Sequence, residues 1–280
     1  MSQPADNARV VLITGCSAGG LGASLAETFA AKGAKVFASA RNVSKMEGLS
    51  AGIEKVALDV TSDESVTAAV QTVIEKAGRI DILVNNAGGN RVGAFLDVPL
   101  QDIEEAFQTN VFGVMRVTKA VAPHMAKRKS GLIINVGSLA GNLPSPWWTA
   151  YSSSKAAMHA HSDIIDMELR PFGIKVMLLA PGFIESNIRA NTAAKHTEAP
   201  ADSLYGPWRK GIDARLEPNP SSSGQMTAAE FARRTVDAAL SSNPPSYMSI
   251  GGQATGAWIM TLLPRTWRLN QLWKIFDKRS

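Results

Sequence analysis

A single cysteine, Cys16, stands in the 280 residues, which excludes an internal disulfide framework and is compatible with a reducing compartment. It sits inside a glycine-rich turn and reads as a small packing residue, not a nucleophile. Met1 to Ala8 is polar and acidic, so no secretory signal is expected. The longest apolar stretch near the end, Ala254 to Leu263, is too short to span a bilayer. No repeat of about 20 to 50 residues is evident, and low complexity is confined to Pro218 to Ser223. Carboxylate/Cys clusters that would hold a metal are missing; the rings of His159-Ala160-His161 would diverge on a helix, so both read as structural.

Acidic residues are outnumbered, leaving a net charge of +5 and a pI near 9.4. Much of the excess is local, in Arg265, Arg268, Lys274, Lys278 and Arg279. No helix-turn-helix, finger or aromatic-basic sheet signature accompanies it, so the expected partner is an anionic cofactor, substrate or lipid surface and not nucleic acid.

What is present is enough for one substantial core: 45% of residues are hydrophobic, as in an ordinary soluble α/β domain. From Arg9 short β-rich runs alternate with helical patterns, the mark of βαβ units and a parallel sheet. Strands are predicted at Val10 to Thr14, Lys35 to Ala40, Lys55 to Leu58, Ile80 to Asn85, Leu132 to Val136 and Ile174 to Ala180. Helices are predicted at Gly22 to Lys32, Asp63 to Ala77, Leu100 to Lys127 and Ala150 to Arg170. Right-handed crossovers then give a doubly wound sheet. The alternation breaks at Pro181-Gly182, and Phe183 to Met226 reads as a long functional loop. A capping box, Thr227 to Glu230, opens a further helix, and a last strand is expected near Tyr247 to Ile250.

Only one of the three tyrosines, Tyr151, has a lysine four residues on, Lys155. On a helix this spacing puts phenol and ammonium on one face, where the cation can lower the phenol's pKa and make it a general acid or base. Alone, the spacing is equally that of a surface pair. Ser138, however, closes the apolar run Leu132 to Gly137, and catalytic groups of open α/β sheets gather at such strand ends.

The first strand runs into Gly15-Cys16-Ser17-Ala18-Gly19-Gly20-Leu21-Gly22, a turn that lets backbone approach a pyrophosphate at a helix N-terminus. The second strand ends with no acidic residue for a ribose 2′-hydroxyl; Arg41 follows instead. A guanidinium contact of about 1.5–3 kcal/mol to a 2′-phosphate would favour NADP(H) roughly ten- to a hundredfold. Asp59-Val60 and Asn85-Asn86-Ala87-Gly88 follow the third and fourth strands, where the adenine half should lie.

In this order the residues resemble the short-chain dehydrogenase/reductase family from Val10 to about Ser186. The matching positions are Thr14, Gly15, Asp59, Asn85 to Gly88, Asn110, Ser138, Tyr151, Lys155 and Pro181-Gly182. The glycine turn is one residue longer than usual if Gly20 and Gly22 are its last two glycines, and Ser186 stands where a threonine is common. The resemblance implies a single Rossmann-type domain, a doubly wound parallel sheet flanked by helices, over 1–253 with a substrate loop at 183–226. It implies that Tyr151 moves the proton, Lys155 lowers its pKa and holds the nicotinamide ribose, Ser138 binds the reacting oxygen, and Asn110 positions a relay water. The implied NADP(H) site adds Ser17, Leu21, Val60, Asn86, Ala87, Gly88, Pro181, Gly182, Ile184 and Ser186 to Gly15, Gly20, Gly22, Arg41 and Asp59, with no metal.

The long glycine turn with Cys16 and the tail at 254–280 look more specifically like fungal NADPH-dependent 1-acyldihydroxyacetone-phosphate reductases. That implies a ketone or secondary alcohol on an apolar, lipid-like small molecule, in a cytoplasmic protein peripheral to the endoplasmic reticulum or a lipid droplet, with a homo-oligomer open. In the tail Trp258, Ile259, Met260, Leu262, Leu263, Trp267, Leu269, Leu272, Trp273, Ile275 and Phe276 alternate with Arg and Lys, as in a segment lying on an anionic membrane. Packing over the substrate pocket or against a second subunit is the alternative. A terpenoid, steroid-like or polyketide substrate of secondary metabolism stays open, as does a non-enzymatic binding module. Arg189, Lys195, Arg209 and Lys210 of the loop read either as phosphate contacts or as solvated charges.

Overall fold

A computed structural model describes residues 8–187, 192, 199–216 and 225–277. Seven strands, all parallel, form one sheet: β1 (Val10–Thr14), β2 (Lys35–Ala40), β3 (Glu54–Ala57), β4 (Ile82–Asn85), β5 (Gly131–Val136), β6 (Ile174–Pro181) and β7 (Tyr247–Ile250). Their order is β3-β2-β1-β4-β5-β6-β7, so the winding direction reverses between β1 and β4. Crossovers leave in opposite directions at that point and open a crevice at the carboxyl ends of the strands.

The apolar strands need cover on both faces, and alternate residues sort between two layers. Val11 and Ile13 face a cluster with Leu25, Ala26 and Phe29 of α1 (Leu21–Ala31) and Phe231, Ala232 and Val236 of the late helix Ala228–Ala239. Val10 and Leu12 face the other side, with Val66, Val70 and Val73 of α2 (Asp63–Ala77), and Val117, Val121 and Met125 of α4 (Gly113–Lys127). Ile165 of α6 (Thr149–Leu169) completes that layer.

Two expected elements change. The predicted helix Leu100 to Lys127 is interrupted: α3 (Leu100–Phe107) and α4 are joined by a π-helical turn over Gln108–Phe112. Such a widened turn breaks the regular backbone ladder and is frequent at functional sites; it carries the buried Asn110. The predicted strand at Ile80 starts only at Ile82 because Asp81 is taken up as a clamp. Its carboxylate accepts the Val10 N–H at 2.8 Å and bonds from Arg79 and Arg128 at 3.0 and 3.1 Å. The other boundaries shift by at most one residue.

The remaining helices are α5 (Leu139–Asn142), α7 (Arg209–Asp213), α8 (Ala228–Ala239), α9 (Ala254–Thr261) and α10 (Arg265–Phe276). Thr227 caps α8 by accepting from Glu230 N at 3.2 Å. The return half of the expected capping box is replaced: the Glu230 carboxylate binds Arg233 and Arg234. Among the described residues no helix is long and apolar enough to cross a membrane. Arg189, Lys195 and the stretch 218–223 lie outside the described residues.

Candidate active site

The crevice begins at Thr14, the last residue of β1. Its hydroxyl oxygen accepts the backbone N–H groups of Asn86 and Ala87, each at 3.0 Å, and donates to Val84 O at 3.3 Å. Asn86 reaches back, its Nδ2 donating to Thr14 O at 2.9 Å and Gly15 O at 3.0 Å. β1 and β4 are thereby tied together where their crossovers diverge. The tie leaves no room for side chains: Gly15, at φ +75°, would drive a Cβ to 2.7 Å from Ala87 Cα. A Cβ on Gly22 would strike both Asn86 and Gly15 O.

Gly20 is the N-cap of α1; it offers no capping side chain, and the first turn holds no acidic residue. The opening N–H groups of α1 therefore point into the glycine turn without a side-chain acceptor, a donor set that fits a phosphate. Cys16 is fully buried beneath the turn, and burial raises its thiol to about 12, against a smaller opposing hydrogen bond from Ser39. It is inert packing. Ser17 closes the turn by accepting Gly20 N at 3.0 Å.

On the β2/β3 side, Arg41 is exposed just past β2, across from Asp59. Burial would raise the Asp59 carboxyl, but hydrogen bonds from Thr61 and the charges of Arg41 and Arg116 hold it below its ordinary value. Arg116 also donates to Val60 O at 2.9 Å. On the far side, Gly182 N donates to Ile250 O at 2.9 Å, Ile184 bridges to Met226, and Ser186 is half-buried. Asn187 next to it returns to the turn, donating from Nδ2 to Ala18 O at 3.1 Å.

Asn110 is 1% exposed, and its side chain is a cross-brace. Oδ1 accepts Gly89 N, and Nδ2 donates to Gly89 O, both at 2.9 Å, with a further bond to Ser154 Oγ at 3.0 Å. It holds the backbone just after Ala87-Gly88 to the helix that carries Tyr151. A Cβ on Gly88 would meet Asn110 Oδ1 at 3.1 Å and Lys155 Nζ at 3.6 Å, so those three groups share one corner.

Ser138 stands two residues beyond β5 as the N-cap of α5, its Oγ accepting Ala140 N at 3.1 Å. It also hydrogen-bonds the Tyr151 hydroxyl. Tyr151 and Lys155, on the first turns of α6, are 8% and 6% exposed. The spacing leads one to expect a phenol acidified by the ammonium, and the side chains differ. Burial raises the Tyr151 phenol, with the Ser138 bond working against it. Lys155 Nζ donates to Val136 O at 2.8 Å and lies 5.9 Å from the Tyr151 ring centroid. Burial also lowers the ammonium itself to about 8. Desolvation thus outweighs attraction for both groups.

Trp147, Trp148, Tyr205, Trp208 and Arg215, not singled out by sequence reasoning, complete the surroundings together with Trp273 and Phe276 of the tail. Trp148 packs edge-on to Tyr151 at 5.9 Å, and its buried Nε1 has no hydrogen-bond partner among the described residues. The Arg215 guanidinium stacks 4.4 Å from the Trp148 ring and 3.7 Å from Phe276 of α10. Trp147 meets Tyr205 at 5.6 Å and Trp273 at 5.9 Å, and Trp208 Nε1 donates to Asp277 at 2.6 Å. The inner side of the tail therefore packs on Arg215 and Trp147, one layer removed from Tyr151. Of the loop cations within the described residues, Arg209 pairs with Asp213 at 3.3 Å and Lys210 is exposed. No local signal separates Arg215 from them. His159 had a signal, lying four residues beyond Lys155 on α6; it sits against Ser138, its Nε2 3.2 Å from Ser138 N.

A family model described as short chain dehydrogenase matches residues 9–197. The chain is 35% identical over 269 residues to the short-chain dehydrogenase PC-15 of Penicillium crustosum, covering 94% of this chain and 96% of that protein. It is 38% identical over 228 residues to the NADPH-dependent 1-acyldihydroxyacetone phosphate reductase of Schizosaccharomyces pombe, covering 80% of this chain and 76% of that one. A solved short-chain dehydrogenase from Streptomyces avermitilis superposes with a TM-score of 0.78 at 30% identity, covering 96% and 97% of the two chains.

Proposed function

The chain belongs to the short-chain dehydrogenase family, and from that membership we propose an NADP(H)-dependent oxidoreductase that interconverts a ketone and a secondary alcohol on an apolar, lipid-like substrate. The observation that carries the reading is Tyr151, hydrogen-bonded to Ser138 in a buried corner at the carboxyl end of β5, with Lys155 one turn along the same helix. Bound cofactor supplies the hydride.

In this reading Tyr151 gives its proton to the carbonyl oxygen during reduction and takes it back during oxidation. Ser138 donates a hydrogen bond to the same oxygen, where negative charge develops. Burial holds Tyr151 protonated until an acceptor arrives, which suits the donor role at neutral pH. Lys155 would hold the nicotinamide ribose from the corner it shares with Gly88, and Asn110 keeps that corner in register, where it would order the relay water. Gly15, Ser17, Gly20, Leu21 and Gly22 at the α1 N-terminus would hold the pyrophosphate. Arg41 would take the 2′-phosphate, Asp59, Val60, Asn86, Ala87 and Gly88 would receive the adenosine half, and Pro181, Gly182, Ile184 and Ser186 the nicotinamide.

The named activity of the fission-yeast relative makes 1-acyldihydroxyacetone phosphate the first substrate to try. The aromatic cluster beside Tyr151 favours an apolar acyl chain: Trp148 packs on the Tyr151 ring, Arg215 links Trp148 to Phe276, and Trp147 meets Trp273. Arg215, stacked on the same Trp148 that packs against Tyr151, is a cation on which a substrate phosphate could rest. The outer side of the tail is free for another surface. Trp258 is 56%, Leu262 66% and Trp267 48% exposed, and no acidic residue stands between Ala254 and Phe276, while Arg265, Arg268 and Lys274 do. Such a face suits peripheral contact with an anionic membrane.

Four outcomes are expected. Tyr151→Phe keeps NADPH affinity and loses about 10²- to 10⁴-fold in kcat; near-normal turnover would remove the assigned proton donor. Arg41→Ala narrows the NADPH-over-NADH preference by roughly tenfold or more, and an unmoved ratio puts the 2′-phosphate contact elsewhere. Steady-state assays should give a higher kcat/KM for 1-acyldihydroxyacetone phosphate than for a bulky neutral ketone. The reverse order sinks the acyl-phosphate assignment, and no turnover on any ketone despite tight NADPH binding points to a binding module. The protein should cosediment with phosphatidylserine vesicles and much less with phosphatidylcholine; equal amounts left in both supernatants would rule out the membrane face.

A further inference from the structure

α6 carries a further buried polar side chain one turn beyond Lys155: His159, 5% exposed, to which none of the roles above gives a task. Its ring occupies a slot that two glycines leave open. A Cβ on either Gly137 or Gly141 would run into the imidazole, so the chain on both sides of Ser138 is shaped around it. The contact to Ser138 is specific: a backbone N–H can only donate, so at 3.2 Å Nε2 must accept and carry no proton. The proton is then on Nδ1, which donates to Asn142 Oδ1 at 2.9 Å. Asn142 is oriented in turn by its Nδ2, which donates to the Tyr247 hydroxyl of β7 at 2.8 Å. One directed chain of hydrogen bonds therefore runs from the sheet edge to the Ser138 backbone.

We propose that His159 is a positioning residue for the reaction: as the neutral Nδ1–H tautomer it holds the backbone at Ser138 so that the Ser138 hydroxyl meets Tyr151 and the substrate oxygen. The inference rests on the proposed roles of Ser138 and Tyr151. Burial, reinforced by the neighbouring Lys155 charge, lowers the His159 pKa to about 4, so the ring keeps its acceptor nitrogen at neutral pH. A leucine there would fill much of the slot and leave the Ser138 N–H without its partner. The turn between Gly137 and Gly141 is then free to shift the hydroxyl, while the glycine turn of β1, which makes no contact with His159, stays as it is. The loss falls on kcat and not on cofactor binding.

Two measurements on the full-length protein test this. Nitrogen-15 NMR of histidine-labelled enzyme, with the His159 signals assigned by their absence in His159→Gln, should show a protonated Nδ1 and an unprotonated Nε2 at neutral pH. An Nε2–H tautomer or an imidazolium would overturn the proposal without any variant having to be active. In kinetics on the best ketone substrate, His159→Leu should lose on the order of tenfold or more in kcat with KM for NADPH nearly unchanged. His159→Gln, whose side-chain carbonyl can accept from Ser138 N, should recover most of that loss. An unchanged kcat in His159→Leu, or equal losses in Leu and Gln, refutes the positioning role. Tyr151→Phe in the same assay separates the two claims: if it is active, the reading of Tyr151 fails, and if it alone is dead while His159→Leu is normal, only the positioning role fails.

Discussion

Where the winding reverses, β1 and β4 must stay paired while their crossovers leave in opposite directions, and the Thr14 hydroxyl together with the Asn86 amide holds that junction. Every group in the crevice is placed relative to it. The glycine turn is tight because Asn86 grips Gly15 O; α1 starts where it does because Gly22 fits against that amide. The next residues of the same loop, Gly88 and Gly89, deliver the backbone to Asn110. Asn110 then binds Ser154, which fixes α6 to the β4 loop. A polar thread of few atoms thus connects the cofactor end of the crevice to the helix bearing Tyr151.

The corner around Tyr151 is electrostatically expensive, since a phenol, an ammonium and an imidazole are all buried within about two turns of one helix. Each responds in the direction that favours its neutral form: Tyr151 up, Lys155 down to about 8, His159 down to about 4. The protein compensates with directed hydrogen bonds, from Ser138 to Tyr151, from Lys155 to Val136 O, and from Ser138 N to His159. A low-dielectric site of this kind strengthens any charge placed in it later, which is why the arrangement suits chemistry on a carbonyl oxygen.

Much of the fold was legible because its signals are local. Short β-rich runs marked all seven strands, and the strand–glycine–helix sequence at Val10 to Gly22 marked the crevice. The Tyr151/Lys155 spacing and Ser138 at a strand end marked, for the same reason, residues that the structure brings together in one buried corner. Two local rules misled. Helical periodicity runs unbroken from Leu100 to Lys127 because a π turn costs the pattern only one residue of phase, and it hid the interruption at Asn110. The i,i+4 rule correctly put Tyr151 and Lys155 on one face, yet it says nothing of burial, which reversed the expected shift of the phenol.

The sequence by itself determined the strand order class, the glycine turn, the absence of an acid before Arg41 and the identity of the helix that bears Tyr151, since each depends on residues close together in the chain. Tertiary structure alone decided which side chains stand around that helix. Trp148, Arg215 and Phe276 come from three separate segments and are joined only because Arg215 stacks between the two rings. His159 was visible as a residue on α6, but its link to Ser138 exists only after β5 and α6 pack and two glycines open a slot for the ring. Local periodicity encodes which face a residue occupies; what waits on the other side of that face is set by contacts between distant segments.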